Sequence, residues 1–356
     1  MEQKSVLIGM SGGVDSSVAA ALLKEQGYHV IGATMRLWTY SDSCNMKHEG
    51  CCAESAVEDA RRVCDKLGID FYVMNFKDMF KDKVVDYFVD EYIHGRTPNP
   101  CIACNKYLKF DALLKKALAM GIDYVATGHY AKIEKGEDGK YILRASEAVK
   151  KDQSYVLYNF TQEQLAHTLM PLGGSNKDWV RQKAEELGLG VAHKPDSQEI
   201  CFVEDDDYAK FITDYSGYEP KEGDILDVNG NVIGKHRGLI YYTIGQRKGI
   251  GAYGRPMFVM KIDAENNTIT LGEKGMEFSN ELTAYDVNFV SGEFPKENML
   301  ITAKVRYQAP PAAAMLCPQK DGTVKLMFPE PQRAVTPGQA VVFYDGDIVL
   351  GGGTVL

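Results

Sequence analysis

The run Gly9-Met10-Ser11-Gly12-Gly13-Val14-Asp15-Ser16-Ser17 constrains the fold more than any other stretch of this chain. It stands between a short apolar segment at 5–10 that reads as a strand and a segment at 17–26 with helical spacing. Small residues there let backbone N–H groups approach a polyanion, and the helix start adds its positive dipole end. The run lacks a Gly-Lys-Ser/Thr ending, so it is not a Walker A loop. The alternation it begins continues: strands at 29–35, 71–75 and 124–127 are separated by helical patterns at 55–67, 77–94 and 106–120. Strands alternating with helices imply a parallel sheet covered on both faces.

After about residue 205 the texture changes to short β-rich segments and turns rich in Gly, Asp, Asn and Pro. Segments 259–262 and 268–271 flank a hairpin loop at 264–267, and 300–307, 323–328 and 340–344 suggest a small β-barrel. We therefore expect an α/β protein of three domains: a parallel-sheet domain over 1–205, a small central domain over 206–278 and a C-terminal β-barrel over 279–356. The 356 residues suffice for two or three cores. Eight cysteines are too sparse for a disulfide-stapled secreted scaffold. With no signal peptide and no apolar stretch able to span a bilayer, a cytoplasmic, non-membrane protein with reduced thiols is expected. A net charge of -9 excludes a protein that coats nucleic acid through bulk positive charge.

The glycine-rich run resembles the pyrophosphate loop of the N-type ATP pyrophosphatases (adenine nucleotide alpha hydrolase-like), with the pattern Ser-Gly-Gly-x-Asp-Ser. That resemblance implies ATP, cleaved between its α and β phosphates, and Mg²⁺, with Asp15 placed near the metal-bound phosphates. Gly9, Met10, Ser11, Gly12, Gly13, Val14, Asp15 and Ser16 would line the nucleotide site.

Two cysteine sites follow. In Thr97-Pro98-Asn99-Pro100-Cys101-Ile102-Ala103-Cys104-Asn105-Lys106 the prolines are expected to keep the stretch out of helix and the loop stiff. Cys104 would then lie just ahead of a helix, near Lys106 and Lys109, where dipole and ammonium groups favour thiolate. Cys201 follows the polar turn Asp196-Ser197-Gln198-Glu199-Ile200. Taken alone, either cysteine is more often a small buried hydrophobe than a catalyst.

Taken together, the phosphate loop, Thr97-Pro98-Asn99-Pro100, Cys104-Asn105-Lys106, Ala126-Thr127-Gly128-His129-Tyr130, Lys151-Asp152-Gln153-Ser154, Asp196 to Phe202 and Thr243-Ile244-Gly245-Gln246-Arg247-Lys248-Gly249 resemble the tRNA-specific 2-thiouridylases (the MnmA/TrmU family). In the barrel the match rests on Arg306-Tyr307 and Pro337-Gly338-Gln339. The resemblance implies a tRNA sulfurtransferase. ATP would adenylate the C2 oxygen of the wobble uridine in lysine, glutamate and glutamine tRNAs, and Cys201 would carry a persulfide from a sulfur-relay protein or cysteine desulfurase. Cys104 would be the second catalytic thiol, leaving a Cys104–Cys201 disulfide for reduction. It also implies ATP contacts at Met35 and Gly128, and tRNA contacts at Asn99, Pro100, Cys101, His129, Lys151, Asp152, Gln153, Arg306, Tyr307 and Gln339. His129 could instead be a general base.

One position departs from the family pattern: Cys101 stands where many members have aspartate. Cys101, Cys104 and Cys201 could thus be ligands of a [4Fe–4S] cluster with one open iron; an accessory thiol or a tolerated change is the other reading. Cys44, Cys51, Cys52, His48 and Cys64 fit no standard zinc spacing. A different ATP pyrophosphatase, such as an amidotransferase synthetase or a lysidine-type ligase, would keep the loop without needing the two thiols. A non-catalytic tRNA-binding or iron–sulfur scaffold is the other alternative.

By position, the charges offer three basic patches: Lys235, Arg237, Arg247 and Lys248; Lys106, Lys109, Lys115 and Lys116, opposed by Asp111; and Lys304 with Arg306. A tRNA complex needs only a few phosphate contacts of this kind.

Overall fold

The computed structural model describes residues 3–38, 54–148, 151–196, 200–203 and 206–356. Strands β1 (Ser5–Gly9), β2 (His29–Arg36), β3 (Asp70–Asn75) and β4 (Tyr124–Ala126) are followed by a hairpin, β5 (Ala131–Lys135) and β6 (Tyr141–Ala145), and by the short β7 (Thr168–Leu169). A parallel five-stranded sheet runs in the order β3-β2-β1-β4-β7. Val6, Leu7 and Ile8 of β1 are fully buried, as befits a central strand covered on both faces. Order reverses on either side of β1, and the crevice at its carboxyl end is where such sheets take ligands.

Helix α1 (Val14–Glu25) starts three residues earlier than its pattern suggests, because Gly13 in extended conformation serves as N-cap. Asp15 and Ser16 therefore belong to the first helical turn, not to the loop. Helix α2 (Glu54–Leu67) packs Ala56, Ala60, Val63 and Cys64 inward. Burial pushes the Cys64 thiol up to about 12, so it is an inert core group.

The region around 206–273 holds a four-stranded sheet in which Met257–Asp263 and Thr268–Glu273 form the expected hairpin, turned at Asn267 with positive φ. Ahead of it, Asp207 caps the helix Tyr208–Ser216, its side chain accepting from Lys210 N at 2.9 Å.

The C-terminal strands close into a six-stranded antiparallel barrel, since Phe278–Phe289 pairs with both Val324–Arg333 and Ile348–Val355. Overall the protein is α/β, with the parallel-sheet, central and barrel parts expected. One connection was not foreseen: the β5–β6 hairpin leaves the first sheet and extends the barrel sheet. Arg144 pairs in register with Ile348 and its guanidinium reaches Asp347 and Glu134, each at 2.8 Å. Among the described residues no helix is long and apolar enough to cross a membrane.

Candidate active site at the phosphate loop and the cysteine helix

Local bonds shape the phosphate loop. Ser11 N donates to Ser16 Oγ at 3.2 Å, and the hydroxyls of Ser16 and Ser17 donate to Gly13 O at 3.2 and 2.8 Å. Thr34 Oγ1 donates to Met10 O at 2.8 Å, tying the loop to β2. Gly12 sits at φ +70°, and a Cβ there would lie 2.3 Å from Ala56 O of α2. Gly128 is equally confined, its imagined Cβ 2.7 Å from Ser16 N. Met10 and Val14 are buried, so only their backbone can face a ligand, whereas Ser11 is exposed and Met35 half-buried at the end of β2.

Asp15 is the centre of a charge network that motif reading did not reveal. Its carboxylate accepts from both Tyr130 OH (2.7 Å) and Lys177 Nζ (2.8 Å to each oxygen). Lys177 also pairs with Asp196 at 2.6 Å, and Asp196 pairs with Lys151 at 2.7 Å. Burial opposes the charge on Asp196, yet hydrogen bonds from Lys151 and Lys177 hold its carboxyl below the usual range. Nearby, Lys194 Nζ donates to Gly12 O (3.1 Å) and pairs with Asp59 at 2.9 Å. Lys151, Lys177 and Lys194 come from separate segments, and only the fold shows them converging beside the loop.

The cysteine stretch differs from expectation. Pro100 is not a helix breaker here but occupies the first helical position, and helix runs on from 100 to 119. Asn99 is the N-cap, its Oδ1 accepting from Cys101 N at 3.1 Å and Ile102 N at 3.4 Å. Cys104 thus lies within the helix, at the start of a wider π-type stretch of the kind often found at functional sites. Nor is Lys106 available to it: its ammonium pairs with Asp286 of the barrel at 2.7 Å.

Cys104 is buried and Cys201 half-buried, and both pack into the same apolar cluster. Phe202 anchors the second thiol. It is fully buried, with its ring 5.2–5.6 Å from those of Phe80, Phe88 and Phe211. Cys101 differs in burial: it is exposed, and near enough to Tyr307 to act on that phenol's ionisation. Among the described residues no three His, Cys, Asp or Glu side chains are arranged to hold a metal ion. Cys101, Cys104 and Cys201 therefore do not present the ligand set of a [4Fe–4S] cluster. Cys44, Cys51, Cys52 and His48, with Ser197, Gln198 and Glu199, lie outside the described residues.

The barrel grips the stretch just ahead of the cysteine helix. Thr97 N donates to Pro337 O at 2.9 Å, and Gln339 Nε2 donates to Thr97 O at 2.8 Å. Gly338 packs so closely that a Cβ would stand 3.0 Å from Thr97 N. Tyr307 OH likewise donates to Asp152 O at 3.1 Å, with Lys304 Nζ 5.7 Å from its ring. Asp152 and Gln153 engage protein groups: Asp152 accepts from Ser146 N (2.9 Å) and Ser154 Oγ (2.8 Å), and Gln153 Oε1 from Tyr130 N (3.0 Å). Burial, and then Lys109, push the His129 imidazole well below its ordinary value, so it is neutral near pH 7 and bonded to Thr127 Oγ1 at 2.7 Å.

The basic patches are unequal. Lys235 pairs with Asp224 at 2.6 Å, Lys115 with Asp111 at 2.8 Å, and Arg237 lies 4.0 Å over the Tyr241 ring. Arg247 and Lys248 are exposed beside a tight turn, and Arg306 is half-buried.

Family models match the whole of this architecture: a "tRNA methyl transferase HUP domain" over residues 4–205, a "tRNA methyl transferase PRC-barrel domain" over 209–273 and an "aminomethyltransferase beta-barrel domain" over 279–355. A protein of Acetivibrio thermocellus named tRNA-specific 2-thiouridylase MnmA is 59% identical, with 100% of both chains covered. Proteins of the same name from Clostridioides difficile (58% identical, 99% of this chain and 98% of the relative) and Clostridium botulinum (56%, 100% and 98%) are similar along their length as well.

Proposed function

Because the chain belongs to the tRNA-specific 2-thiouridylase family, we propose that it is a tRNA sulfurtransferase that replaces O2 of the wobble uridine with sulfur at the expense of ATP. The observation that carries this reading is the packing of Cys104 and Cys201, far apart in sequence, against one extended apolar cluster of the chain that also carries the phosphate loop. A methyl transfer, which the wording of two family models would suggest, gives no role to a thiol pair.

In this scheme residues 9–16 hold the triphosphate on backbone N–H groups, and Met35 and Gly128 border the adenosine. Asp15 supplies a carboxylate oxygen suited to Mg²⁺, which would neutralise developing phosphate charge. AMP is transferred to O2, converting it into a leaving group, and pyrophosphate departs. Cys201 bears a persulfide received from a relay protein or a cysteine desulfurase. Its outer sulfur attacks C2, directly or after release as sulfide. AMP leaves with the former O2, and the Cys104 thiolate attacks the inner sulfur, Cys201 Sγ, breaking the S–S bond so that the outer sulfur goes to C2 and a Cys104–Cys201 disulfide forms. Two electrons from a thiol reductant then restore both cysteines. Extruding the base gives access to C2, with Asn99, Pro100 and Cys101 beside it. Lysine, glutamate and glutamine tRNAs are the substrates and the cytoplasm the site of action. The three domains divide at 205/206 and 278/279, with the β5–β6 hairpin of the first domain joining the sheet of the third.

Incubation with ATP, tRNA and a persulfide donor should yield 2-thiouridine on nucleoside mass analysis, with AMP and pyrophosphate in equal amounts. Lysidine or an amidated product, or pyrophosphate release that does not need tRNA, would overturn the proposal. Arg247→Glu with Lys248→Glu should weaken tRNA binding about tenfold or more at low salt and flatten its salt slope by about two, leaving ATP affinity alone. An unchanged slope removes that turn from the tRNA surface.

A further inference from the structure

Lys177 has an unusual position for a helix residue: its side chain is 11% exposed, and it is the counter-ion of two carboxylates on separate segments. One is Asp15, in the first turn of α1 directly after the phosphate loop. The other is Asp196, five residues ahead of Cys201. Arg181 lies one turn further along the same helix with NH2 3.8 Å from Asp196, and its buried Nε has no hydrogen-bond partner among the described residues. Besides Lys177 and Lys151, which holds it at 2.7 Å, Asp196 therefore has a third cation within reach whose donors are incompletely used.

We propose that Lys177 is a positioning residue through which nucleotide occupancy of the phosphate loop sets the placement of Cys201. This rests on the ATP reading above. A triphosphate seated beside Asp15 competes with Asp196 for the Lys177 ammonium, because a bound polyanion attracts it more strongly than one carboxylate does. As Lys177 turns to the phosphates, Asp196 shifts onto Arg181, satisfying the orphaned guanidinium donor. The two arrangements form a two-state element biased by nucleotide. The sulfur-bearing cysteine is thereby set for transfer only when the activating nucleotide is present, which guards a labile persulfide against idle turnover.

The test is the alkylation rate of Cys201, followed by peptide mass analysis of the full-length protein with and without magnesium and a non-hydrolysable ATP analogue, whose binding is measured separately by calorimetry. In the unaltered protein the analogue should change the rate at least about threefold. Lys177→Met and Asp196→Asn should each lose that response, while Lys177→Arg should keep part of it. Cys317, remote on the barrel, is the internal reference and should not respond. An unaltered protein that binds the analogue without a change at Cys201, or a Lys177→Met protein that binds it and still responds fully, would overturn the proposal. Failure of the unaltered protein to bind the analogue would instead overturn the ATP reading on which it rests.

Discussion

Cys201→Ser and Cys104→Ser should each lower 2-thiouridine formation about a thousandfold or more while changing ATP affinity less than about twofold. The two losses have different origins. Serine at 201 cannot accept a sulfane sulfur, so the protein should fail to take up labelled sulfur from a persulfide donor. Serine at 104 should leave loading intact and block turnover, because nothing resolves the remaining oxidation. Since Cys104 is buried, its hydroxyl replacement also carries a desolvation penalty of about 1–3 kcal/mol. Cys104→Ala separates the effects: it should thiolate no better than the serine variant. Substantial product from either single variant would dismiss the two-thiol scheme, whereas sulfur loading on Cys104→Ser but not on Cys201→Ser would establish which thiol receives the sulfur.

Gly12→Ala should abolish measurable nucleotide binding and lower the melting temperature. The left-handed conformation costs a non-glycine residue about 1–2 kcal/mol, and the Cβ would collide with backbone of α2, for which about 1–3 kcal/mol more is typical. Relief requires α2 or the loop to move, and the loop amides lose their common focus. Gly27→Ala is the matched control. It has φ +88° with nothing within 4 Å of the added Cβ, so it incurs the conformational strain without the collision. Calorimetric ATP titration of both proteins discriminates. If Gly12→Ala binds as well as Gly27→Ala, close approach of the loop to α2 does not shape the nucleotide site.

The sheet, the loop and the barrel were legible because each leaves a local trace. Glycines fall where positive φ is needed, apolar residues alternate along the barrel strands, and β1 has the apolar run Val6-Leu7-Ile8. The cysteine helix was misread at its start. Pro100 alone suggests a break in helix, although proline at the first helical position loses nothing, and Asn99 ahead of it is the cap signal that marks the helix start. The charge network was illegible for another reason. Asp15, Tyr130, Lys151, Lys177 and Asp196 come from five segments, and no local periodicity records which side chains will meet. The same applies to Asp224, which neutralises Lys235 from the neighbouring strand, and to Asp286 of the barrel, which neutralises Lys106 on the cysteine helix; Arg247 and Lys248 are left the more exposed basic pair.

The β5–β6 hairpin has a consequence for synthesis. Its edge is completed by Ile348, at the start of the strand Ile348–Val355, and by Asp347 in the turn just ahead of it. A nascent chain that has already made its nucleotide-binding sheet must carry this hairpin with an open edge while some two hundred further residues emerge. Closing a loop of that length costs only slowly more than a shorter one, but it delays pairing and leaves a strand edge open to other chains meanwhile. Ribosome stalling before residue 340 should therefore leave the hairpin susceptible to protease and dependent on chaperones. Release of the final strand is the event that ends the vulnerability.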